Sequence, residues 1–490
     1  MKTTVAVIGS GIGGLATAIR LAKLGMNVTV FEKNAVVGGK VHSRTFSGYR
    51  FDMGPSVFTE PHLIAELVAM VENNPNGFEY SPLKESGRYF YEDGTQLIIP
   101  SGSKGTKEVF INVLNEEPKK VDQYLGRIDE NYKALHPVFI ETSLHRRSHW
   151  LNSALAPAIM KVHKYGLFTT MNNFSKRFFK NPKTIQLLNR YATYNGSNPF
   201  QTPGLLSIIG HLELNIGSFF PKGGMVAITQ SLVKTASTLG VNIEVNKSVD
   251  GIKTKDGKVI GVDVSGGFFP ADIVVSNVDV HYTYEQLLPE INKPSKILAQ
   301  EMSSSAVVFY WGINRKFDAL GVHNVFFSND YNAEFEAIFK HKTLVDDPTI
   351  YIHISAKVEP DDAPMGCENW FVMVNAPVDT GQHWDELVAK LRQQVILKLT
   401  KHLKVNIADC ITTEYVNDPI KLQQQYNGKA GSIYGNSSNS PMSAFYRHPN
   451  HAPGVKGMYF AGVTVHPGGG IPLALNGAKI VERMVKEDFT

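Results

Sequence analysis

The sequence predicts an α/β protein organised around a Rossmann-like sheet, with a second mixed-sheet region and a helical region. Two observations predict this class. A short apolar strand runs into a glycine-rich turn and a helix at the N-terminus, and a second glycine-rich turn precedes a helix near the C-terminus. The 490 residues are 43% hydrophobic and 19% charged, which suits roughly two to four folded domains with large apolar cores.

The first element predicts a phosphate-binding turn. Residues 3–8 form an apolar, β-branched strand, and Gly9, Gly11, Gly13 and Gly14 follow in a segment that fits G-x-G-x-x-G. Gly9 permits the tight turn, Gly11 lets the backbone approach a pyrophosphate, and Gly14 lets the helix pack closely on the strand. The helix N-terminus then offers free N–H groups and its dipole to the phosphate charge. An ordinary glycine turn is the alternative, but the flanking strand and helix favour a dinucleotide site.

The second strand supports the same interpretation. Residues 27–31 are again apolar and β-branched, and Glu32 follows them, about 20 residues beyond the glycine turn. A carboxylate at this position accepts hydrogen bonds from ribose hydroxyls. Because the residue is acidic, a ribose with a 2′-phosphate is disfavoured, which argues against NADP.

A second glycine pair favours a flavin dinucleotide over NAD. Gly38, Gly39 and Lys40 lie where flavoproteins with two dinucleotide-binding domains carry Gly-Gly-Arg. We expect the Lys40 ammonium to contact the phosphates, without the bidentate geometry of arginine. The segment that follows resembles the F-D-x-G-P stretch that places Ser56 and Val57 against a flavin.

The C-terminal glycine cluster completes the predicted site. An apolar strand ends at Gly462, and Gly469, Gly470 and Ile471 then lead into a helical pattern over 473–485. Three consecutive glycines ahead of a helix create a second helix N-terminus, which suits the ribityl chain and pyrimidine edge of a flavin. A nicotinamide dehydrogenase has no need of this second site, although a surface loop could also carry such glycines. The sequence therefore predicts FAD as the cofactor.

The central segment is expected to return to the cofactor. Residues 240–249 predict a strand whose Val249 approaches the adenine, and residues 251–264 predict a hairpin. Residues 272–276 predict a further buried strand, which places Asn277 near the cofactor.

These segments together resemble the phytoene desaturase family, the carotenoid desaturases among the amine-oxidase-like flavoproteins. The matching stretches are GSGIGGLATAIRLAKLGMNVTVFEK with VGGK near the N-terminus, GYRFDMGPSVFT at 48–59, FFPKGGMVAITQSLVK at 219–234, DIVVSNVDV at 272–280 and GMYFAGVTVHPGGGIPLALNGAKIVERMV at 457–485. The resemblance implies non-covalent FAD and a long isoprenoid substrate. It covers both ends and the middle of the chain, and residues 90–200 and 300–440 are less diagnostic.

The resemblance also implies a discontinuous domain organisation. A Rossmann-like FAD-binding domain, of the two-dinucleotide-binding-domain type, is expected from residues 1–85, 215–290 and 440–490. A mixed-sheet substrate domain is expected from residues 86–115 and 291–439. Residues 116–214 are expected to form a basic helical subdomain that faces a membrane.

Carotenoid desaturation is the activity that the resemblance implies. The flavin N5 takes a hydride from an allylic carbon, the neighbouring carbon loses a proton, and the polyene spreads the developing positive charge. A strong base is therefore not required, and the sequence shows no Ser/His/Asp or paired-carboxylate constellation. His466 is the titratable residue that the motif places beside the flavin, but a turn histidine bonded to the backbone is the favoured interpretation. No catalytic residue is assigned.

Similarity favours the 1-hydroxycarotenoid 3,4-desaturases within the family, although no residue in the sequence identifies the hydroxyl group. Phytoene or diapophytoene desaturases and carotenoid isomerases stay open as alternatives. From other classes, prenyl-protein escort proteins share the fold without redox chemistry, and amine or protoporphyrinogen oxidases share the cofactor. The intact glycine segments argue against an escort protein, and the F-P-K-G-G stretch argues against the oxidases. Oxygen and a quinone are both open as electron acceptors.

Charge is segregated along the chain, whose net charge is +4. Residues 142–212 contain no Asp or Glu, and apolar and aromatic residues at 150–151, 156–160, 165–168, 174 and 178–179 alternate with basic ones. The nine basic residues of this stretch are Arg146, Arg147, Lys161, Lys164, Lys176, Arg177, Lys180, Lys183 and Arg190. The pattern predicts a monotopic membrane surface, to which each basic residue contributes about 1 kcal/mol. A solvated basic face is the alternative, and no nucleic-acid-binding motif accompanies the charge.

The remaining sequence features limit where in the cell the protein is expected. The two cysteines, Cys367 and Cys410, show no CxxC or metal-like spacing, so neither a disulfide framework nor a metal site is expected. No stretch reaches the roughly 20 apolar residues of a membrane-spanning helix. The N-terminal strand leads into the nucleotide-binding turn and not into a signal-peptide cleavage site. We expect a peripheral membrane protein on the cytoplasmic side.

Overall fold

The computed structural model describes residues 2–71, 77–150, 155–443 and 446–489. The strands in these ranges are β1 (Thr4–Ile8), β2 (Asn27–Phe31), β3 (Ser43–Phe46), β4 (Tyr49–Asp52), β5 (Tyr80–Pro82), β6 (Glu85–Phe90), β7 (Gln96–Pro100), β8 (Phe219–Pro221), β9 (Asn242–Glu244), β10 (Val249–Lys255), β11 (Lys258–Val264), β12 (Gly267–Pro270), β13 (Ile273–Ser276), β14 (Ser305–Ile313), β15 (His323–Phe326), β16 (Ile350–His353), β17 (Glu368–Ala376), β18 (Ile411–Asn417) and β19 (Met458–Phe460).

The α-helices in the same ranges are α1 (Ile12–Lys23), α2 (His62–Val68), α3 (Ser103–Asn112), α4 (Pro118–Leu135), α5 (Leu155–Met160), α6 (Met171–Lys176), α7 (Pro182–Asn189), α8 (Ile208–His211), α9 (Val226–Thr238), α10 (Val280–Tyr282), α11 (Ser295–Leu298), α12 (Tyr331–Glu336), α13 (Trp384–Leu403), α14 (Pro419–Tyr426) and α15 (Ile471–Phe489). Within the described part of the chain, we find no helix with both the length and the apolar character needed to cross a bilayer.

A parallel sheet of five strands, in the order β19-β13-β1-β2-β9, carries the N-terminal motif. Side chains of a strand alternate between faces, so Val5 and Val7 pack with helices α1, α9 and α15 on one side. Ala6 and Ile8 pack on the other side with the antiparallel sheet β10-β11-β12. Both faces of the parallel sheet are thus covered, as its apolar strands require. The predicted hairpin over 251–264 is confirmed as β10 and β11, whereas the strand expected over 240–249 is limited to the three residues of β9.

A mixed sheet of seven strands, in the order β18-β14-β17-β16-β15-β6-β7, forms the second layer. Its neighbours are antiparallel except for β15 and β6. On β14, Val307, Phe309 and Trp311 point to a core that includes helix α13. The alternate residues of β14 point to the opposite face, which is the face turned toward the parallel sheet and its helices. The parallel and mixed sheets agree with the predicted α/β fold, and the exact domain boundaries stay a prediction.

Helices α3, α4, α6 and α7 pack over one end of the mixed sheet. Helix α4 begins with a proline. Proline is well suited to the first helical position, because a backbone N–H there would have no partner within the helix. The buried residues Val121, Leu125 and Ile128 of α4 recur at helical spacing and contact a shared aromatic core.

This core corrects part of the membrane prediction. Phe174 and Phe179, which the charge pattern predicts to insert into lipid, are buried because they belong to this core. Tyr165 and Arg190 are buried as well. The exposed apolar side chains of the stretch are instead Ile159, Met160, Val162 and Phe168. Leu151, which the charge pattern also included, lies outside the described residues.

Candidate functional site

One cavity of about 570 Å³ lies where the parallel sheet, the mixed sheet and the helices meet. Of the residues that the sequence predicts to bind the cofactor, all but Gly14 line this cavity. Those that line it are Gly9, Gly11, Gly13, Glu32, Gly39, Lys40, Ser56, Val57, Val249, Asn277, Gly462, Gly469, Gly470 and Ile471. Residues from both ends and the middle of the chain thus meet at one place, while their individual contacts with FAD stay predictions.

The glycine turn after β1 forms a closely packed wall of the cavity. A Cβ atom on Gly13 would lie 2.7 Å from Asn277 Oδ1 and 2.9 Å from the backbone nitrogen of Gly462, so no larger residue fits. A Cβ atom on Gly14 would lie 2.2 Å from the carbonyl oxygen of Gly9. Gly14 therefore serves the packing of α1 on its strand and has no place in the cavity wall.

Two helix N-termini open onto this cavity. Helix α1 begins at Ile12, and its first backbone bond is donated by Leu15 to Gly11. Helix α15 begins at Ile471, and its first bond is donated by Ala474 to Gly470. The unbonded N–H groups that precede these bonds, together with the two helix dipoles, favour the negatively charged groups of a dinucleotide.

Glu32 is held firmly beside the turn. Its Oε2 accepts hydrogen bonds from the backbone N–H and the hydroxyl of Ser10 at 2.9 and 2.7 Å. Its Oε1 accepts from the backbone N–H and the side-chain amide of Asn34 at 2.9 and 3.0 Å. A ribose hydroxyl that bonds Glu32 would therefore replace one of these side-chain donors.

Lys40 and Gly54 both line the cavity, and their backbones pack closely together. Its Nζ donates to the carbonyl of Ile433 at 2.7 Å and lies 5.9 Å from the ring centroid of Tyr426. Burial lowers the pKa of Lys40 to about 8, and Asp279 opposes the shift. The ammonium is thus charged at neutral pH, and the expected phosphate contact stays a prediction.

Ser56 begins a hydrogen-bonded chain that the sequence did not reveal. Its Oγ lies 2.7 Å from the hydroxyl of Tyr351, which lies 2.8 Å from Nδ1 of His323. Burial raises the pKa of Tyr351 and lowers that of His323, so both groups are neutral. Tyr351 is on β16 and His323 on β15, so the sheet pairing, and not any sequence motif, brings them together.

The remainder of the cavity is mainly apolar. The mixed sheet contributes alternate residues of two strands, Ala306, Val308 and Tyr310 from β14 with Phe371 and Met373 from β17. The helical side contributes leucine, isoleucine and phenylalanine side chains at 135, 139, 140, 144, 205, 206, 208, 209 and 212. These residues form an apolar compartment. It is continuous with the polar cofactor cradle, which is formed by the glycine turns together with Glu32 and Lys40.

A buried ion pair interrupts this apolar lining. Arg190 donates to Glu213 Oε1 at 2.6 Å, and the hydroxyls of Tyr89, Tyr191 and Tyr194 also donate to the Glu213 carboxylate. Burial alone would lower the pKa of Arg190, but Glu213 outweighs it and raises that pKa. The charge pattern predicts Arg190 on a basic surface; that prediction is wrong because Glu213, just beyond the acid-free stretch, pairs with Arg190.

His466 has the backbone role that was favoured for it. The side chain is buried, and its Nε2 lies 2.9 Å from the carbonyl oxygen of Thr142. Burial lowers the pKa of His466 to about 3, so the ring is neutral at neutral pH.

The cradle fits FAD because the features that a dinucleotide requires line one cavity beside an apolar compartment. These features are the N-termini of α1 and α15, the Glu32 carboxylate for a ribose, and the buried Lys40 ammonium for a phosphate. Comparison with known proteins agrees. The family model for flavin containing amine oxidoreductases matches residues 12–481. A 1-hydroxycarotenoid 3,4-desaturase of Flavobacterium sp. (strain P99-3) is 44% identical, over 99% of each chain. A phytoene desaturase of Fusarium fujikuroi is 29% identical, over 100% of this chain and 90% of its own.

Solved structures show the same fold. An oxidoreductase from Methanosarcina mazei superposes with a TM-score of 0.62 at 16% identity, covering 99% of this chain and 100% of its own. The chain therefore belongs to the flavin containing amine oxidoreductases, within the carotenoid desaturases of that family, and its cofactor is FAD.

Proposed function

We propose that this protein is an FAD-dependent 1-hydroxycarotenoid 3,4-desaturase, which introduces one double bond next to the polyene of a hydroxylated carotenoid. The observation that carries the proposal is the 44% identity to the Flavobacterium enzyme of that name across 99% of both chains. The apolar compartment beside the cofactor cradle supports it, since a long isoprenoid needs such a lining.

When bound, FAD supplies the acceptor for a hydride from the allylic carbon. The residues of the chain position the cofactor and the polyene and exclude water from the site. The glycine turns fix the cofactor, while the sheet face with Val308, Tyr310 and Phe371 and the helical wall hold the polyene against it. Holding both partners in reactive geometry and excluding water is where we expect most of the rate enhancement to arise.

The test is product formation by the purified holoprotein. Liposomes that contain a 1-hydroxycarotenoid should yield a product lacking two hydrogen atoms, with longer-wavelength absorbance. The same carotenoid without the hydroxyl group, and phytoene, should react more slowly. Desaturation of phytoene in preference to the hydroxylated substrate would overturn the substrate assignment while leaving the enzyme class intact.

Membrane attachment is the second part of the proposal. The 159–168 surface, defined as Ile159, Met160, Lys161, Val162, Lys164 and Phe168, combines exposed apolar side chains with exposed lysines. No ion pair of Lys161 or Lys164 is found among the described residues, and Phe168 is 81% exposed. Such a surface suits the headgroup region of an anionic leaflet.

The position of this surface relative to the cavity supports a route for the substrate. Thr169, next to Phe168, accepts a hydrogen bond from the backbone of Gly204 at 2.8 Å. Gly204 precedes Leu205 and Leu206, which line the cavity. A polyene dissolved in the bilayer could thus enter beside the 159–168 surface without crossing water. We further propose a peripheral position on the cytoplasmic side, with oxygen or a quinone as electron acceptor.

Liposome flotation tests the attachment. Replacing Lys161 and Lys164 with Gln should weaken partitioning to anionic vesicles about 30-fold, since each lysine contributes about 1 kcal/mol. The matched control replaces Lys255 and Lys258, which are exposed on the β10–β11 hairpin, and should leave partitioning unchanged. Phe168→Ser should weaken binding, whereas Met365→Ser, at another exposed apolar residue, should not. Equal flotation of all variants would contradict the proposal that the 159–168 surface binds the membrane.

A further inference from the structure

Four carboxylates line the cavity among the described residues, and one of them differs from the rest. Glu32 and Glu213 each accept four hydrogen bonds. Both oxygens of Asp279 accept backbone N–H groups. Glu60 is held through Oε1 alone, which accepts from the Tyr132 hydroxyl at 2.5 Å. No hydrogen bond from a described residue to its Oε2 is found, and Glu60 is among the residues that line the cavity.

The backbone at Glu60 is unusual. Its φ of +52° lies in the left-handed region, which a glutamate occupies only when its surroundings hold it there. Pro61 follows and leads into helix α2, and Ser56 precedes it by four residues in the segment expected to face the flavin. Non-glycine residues in this region concentrate at functional sites, where the strain is offset by the surrounding structure.

Glu60 is ionised although it is only 9% exposed. Burial alone would raise the pKa of its carboxyl, but His136 and Tyr132 outweigh burial and lower it. His136 Nε2 lies 3.6 Å from Oε1 of Glu60. The side chain therefore brings a negative charge to a wall whose other members are mainly apolar, where a charge acts more strongly on its surroundings than it does in water.

We propose that Glu60 is the catalytic base of the desaturation, taking the proton from the carbon next to the hydride donor. The inference rests on the proposed function. The hydride and its electron pair leave the first carbon for the cofactor. The second C–H bond then breaks, its electron pair forms the new double bond, and the proton binds Oε2 of Glu60. The electron acceptor, oxygen or a quinone, takes up two electrons and two protons, which returns Glu60 to its carboxylate form.

Two physical effects make Glu60 suited to this role. Its charge stabilises the positive charge that develops on the polyene as the hydride leaves, because a fixed carboxylate in an apolar site needs no reorganisation. The cation is itself a strong acid, so even a carboxylate of lowered pKa accepts its proton readily. The other three cavity carboxylates have their oxygens already engaged, so the geometry singles out Glu60.

The test compares Glu60→Gln with wild-type holoprotein. The rate at which a 1-hydroxycarotenoid is converted into the desaturated product by the bound flavin should fall about 100-fold or more, the effect typical of a lost general base. Flavin content, thermal midpoint and substrate affinity should stay within error. Glu334→Gln is the matched control, because Glu334 is buried but lies outside the cavity, held by Ser328 and Thr349. Its rate should equal that of the wild type.

Isotope effects separate a base from a merely structural residue. With deuterium on the carbon that loses the proton, the wild type should show no primary effect, whereas Glu60→Gln should show one, because proton loss has become slow. Glu60→Gly, which suits the positive φ and so preserves the fold, should behave like Glu60→Gln. A rate within about threefold of the wild type, or a slow rate without the new isotope effect, would overturn the assignment. Failure of the wild type itself to desaturate would instead reject the proposed function.

Discussion

The cofactor cradle and the substrate compartment are built in different ways, although they share one cavity. The cradle comes from short local segments in which turn, helix and strand follow each other, as in Gly9–Glu32 and Gly462–Ile471. The compartment comes from single residues spread over strands and helices, such as Val308, Tyr351 and Arg190. Binding a dinucleotide thus depends on backbone shape, whereas holding a polyene depends on tertiary packing.

This difference explains what could be predicted from sequence. Glycine spacing reports a backbone requirement directly, and the clash that a Cβ would make at Gly13 gives the reason. The residues predicted from such spacing line the cavity, apart from Gly14, while their contacts with FAD stay predictions. Arg190 was misassigned because its partner Glu213 lies 23 residues away, beyond the acid-free stretch. The Tyr351–His323 bond and the free oxygen of Glu60 follow from strand pairing and an unusual backbone angle, and neither has a sequence signature.

The largest expected effect concerns the cradle. Gly13→Val should abolish flavin retention, because its side chain would overlap Asn277 and Gly462. Flavin absorbance per chain after purification measures the effect. Gly126→Ala is the control, since a Cβ there meets nothing within 4 Å. A yellow Gly13→Val protein would show that the cofactor does not depend on this turn.

The compartment should respond through stability. Glu213→Ala leaves the buried Arg190 charge without its partner and should lower the free energy of unfolding by about 3–5 kcal/mol. Denaturant unfolding measures it. Glu79→Gln, in an exposed pair with Lys222, should leave the unfolding midpoint unchanged. Equal stability of Glu213→Ala and wild type would mean that the ion pair does not support the compartment.

Lys40 should make the affinity of the cradle for FAD depend on pH. Its pKa of about 8 in the free protein means that the ammonium is present below that pH and lost above it. A bound anionic phosphate would raise this pKa, so flavin affinity should be constant up to about pH 8 and fall up to about tenfold per pH unit above it. Titration of the flavin-free protein with FAD measures this. Lys40→Met should bind FAD more weakly, and its affinity should not fall above about pH 8 for this reason. Lys23→Met should match the wild type. Identical pH profiles for Lys40→Met and wild type would exclude the phosphate contact.

The smallest effect is expected at His466. Its buried, neutral ring bonds a backbone carbonyl, so His466→Ala should keep its flavin and lose far less than the roughly 100-fold of a missing acid–base group. Turnover per bound flavin measures it. Complete loss of turnover with full flavin occupancy would give this residue the role that we assign to Glu60.

Anaerobic mixing of the yellow holoprotein with a 1-hydroxycarotenoid tests the central claim most directly. If flavin and polyene share the cavity as proposed, the visible flavin absorbance should bleach while one desaturated product forms per flavin. A flavin that stays oxidised in the presence of bound carotenoid, or a protein that takes up no FAD, would contradict the account.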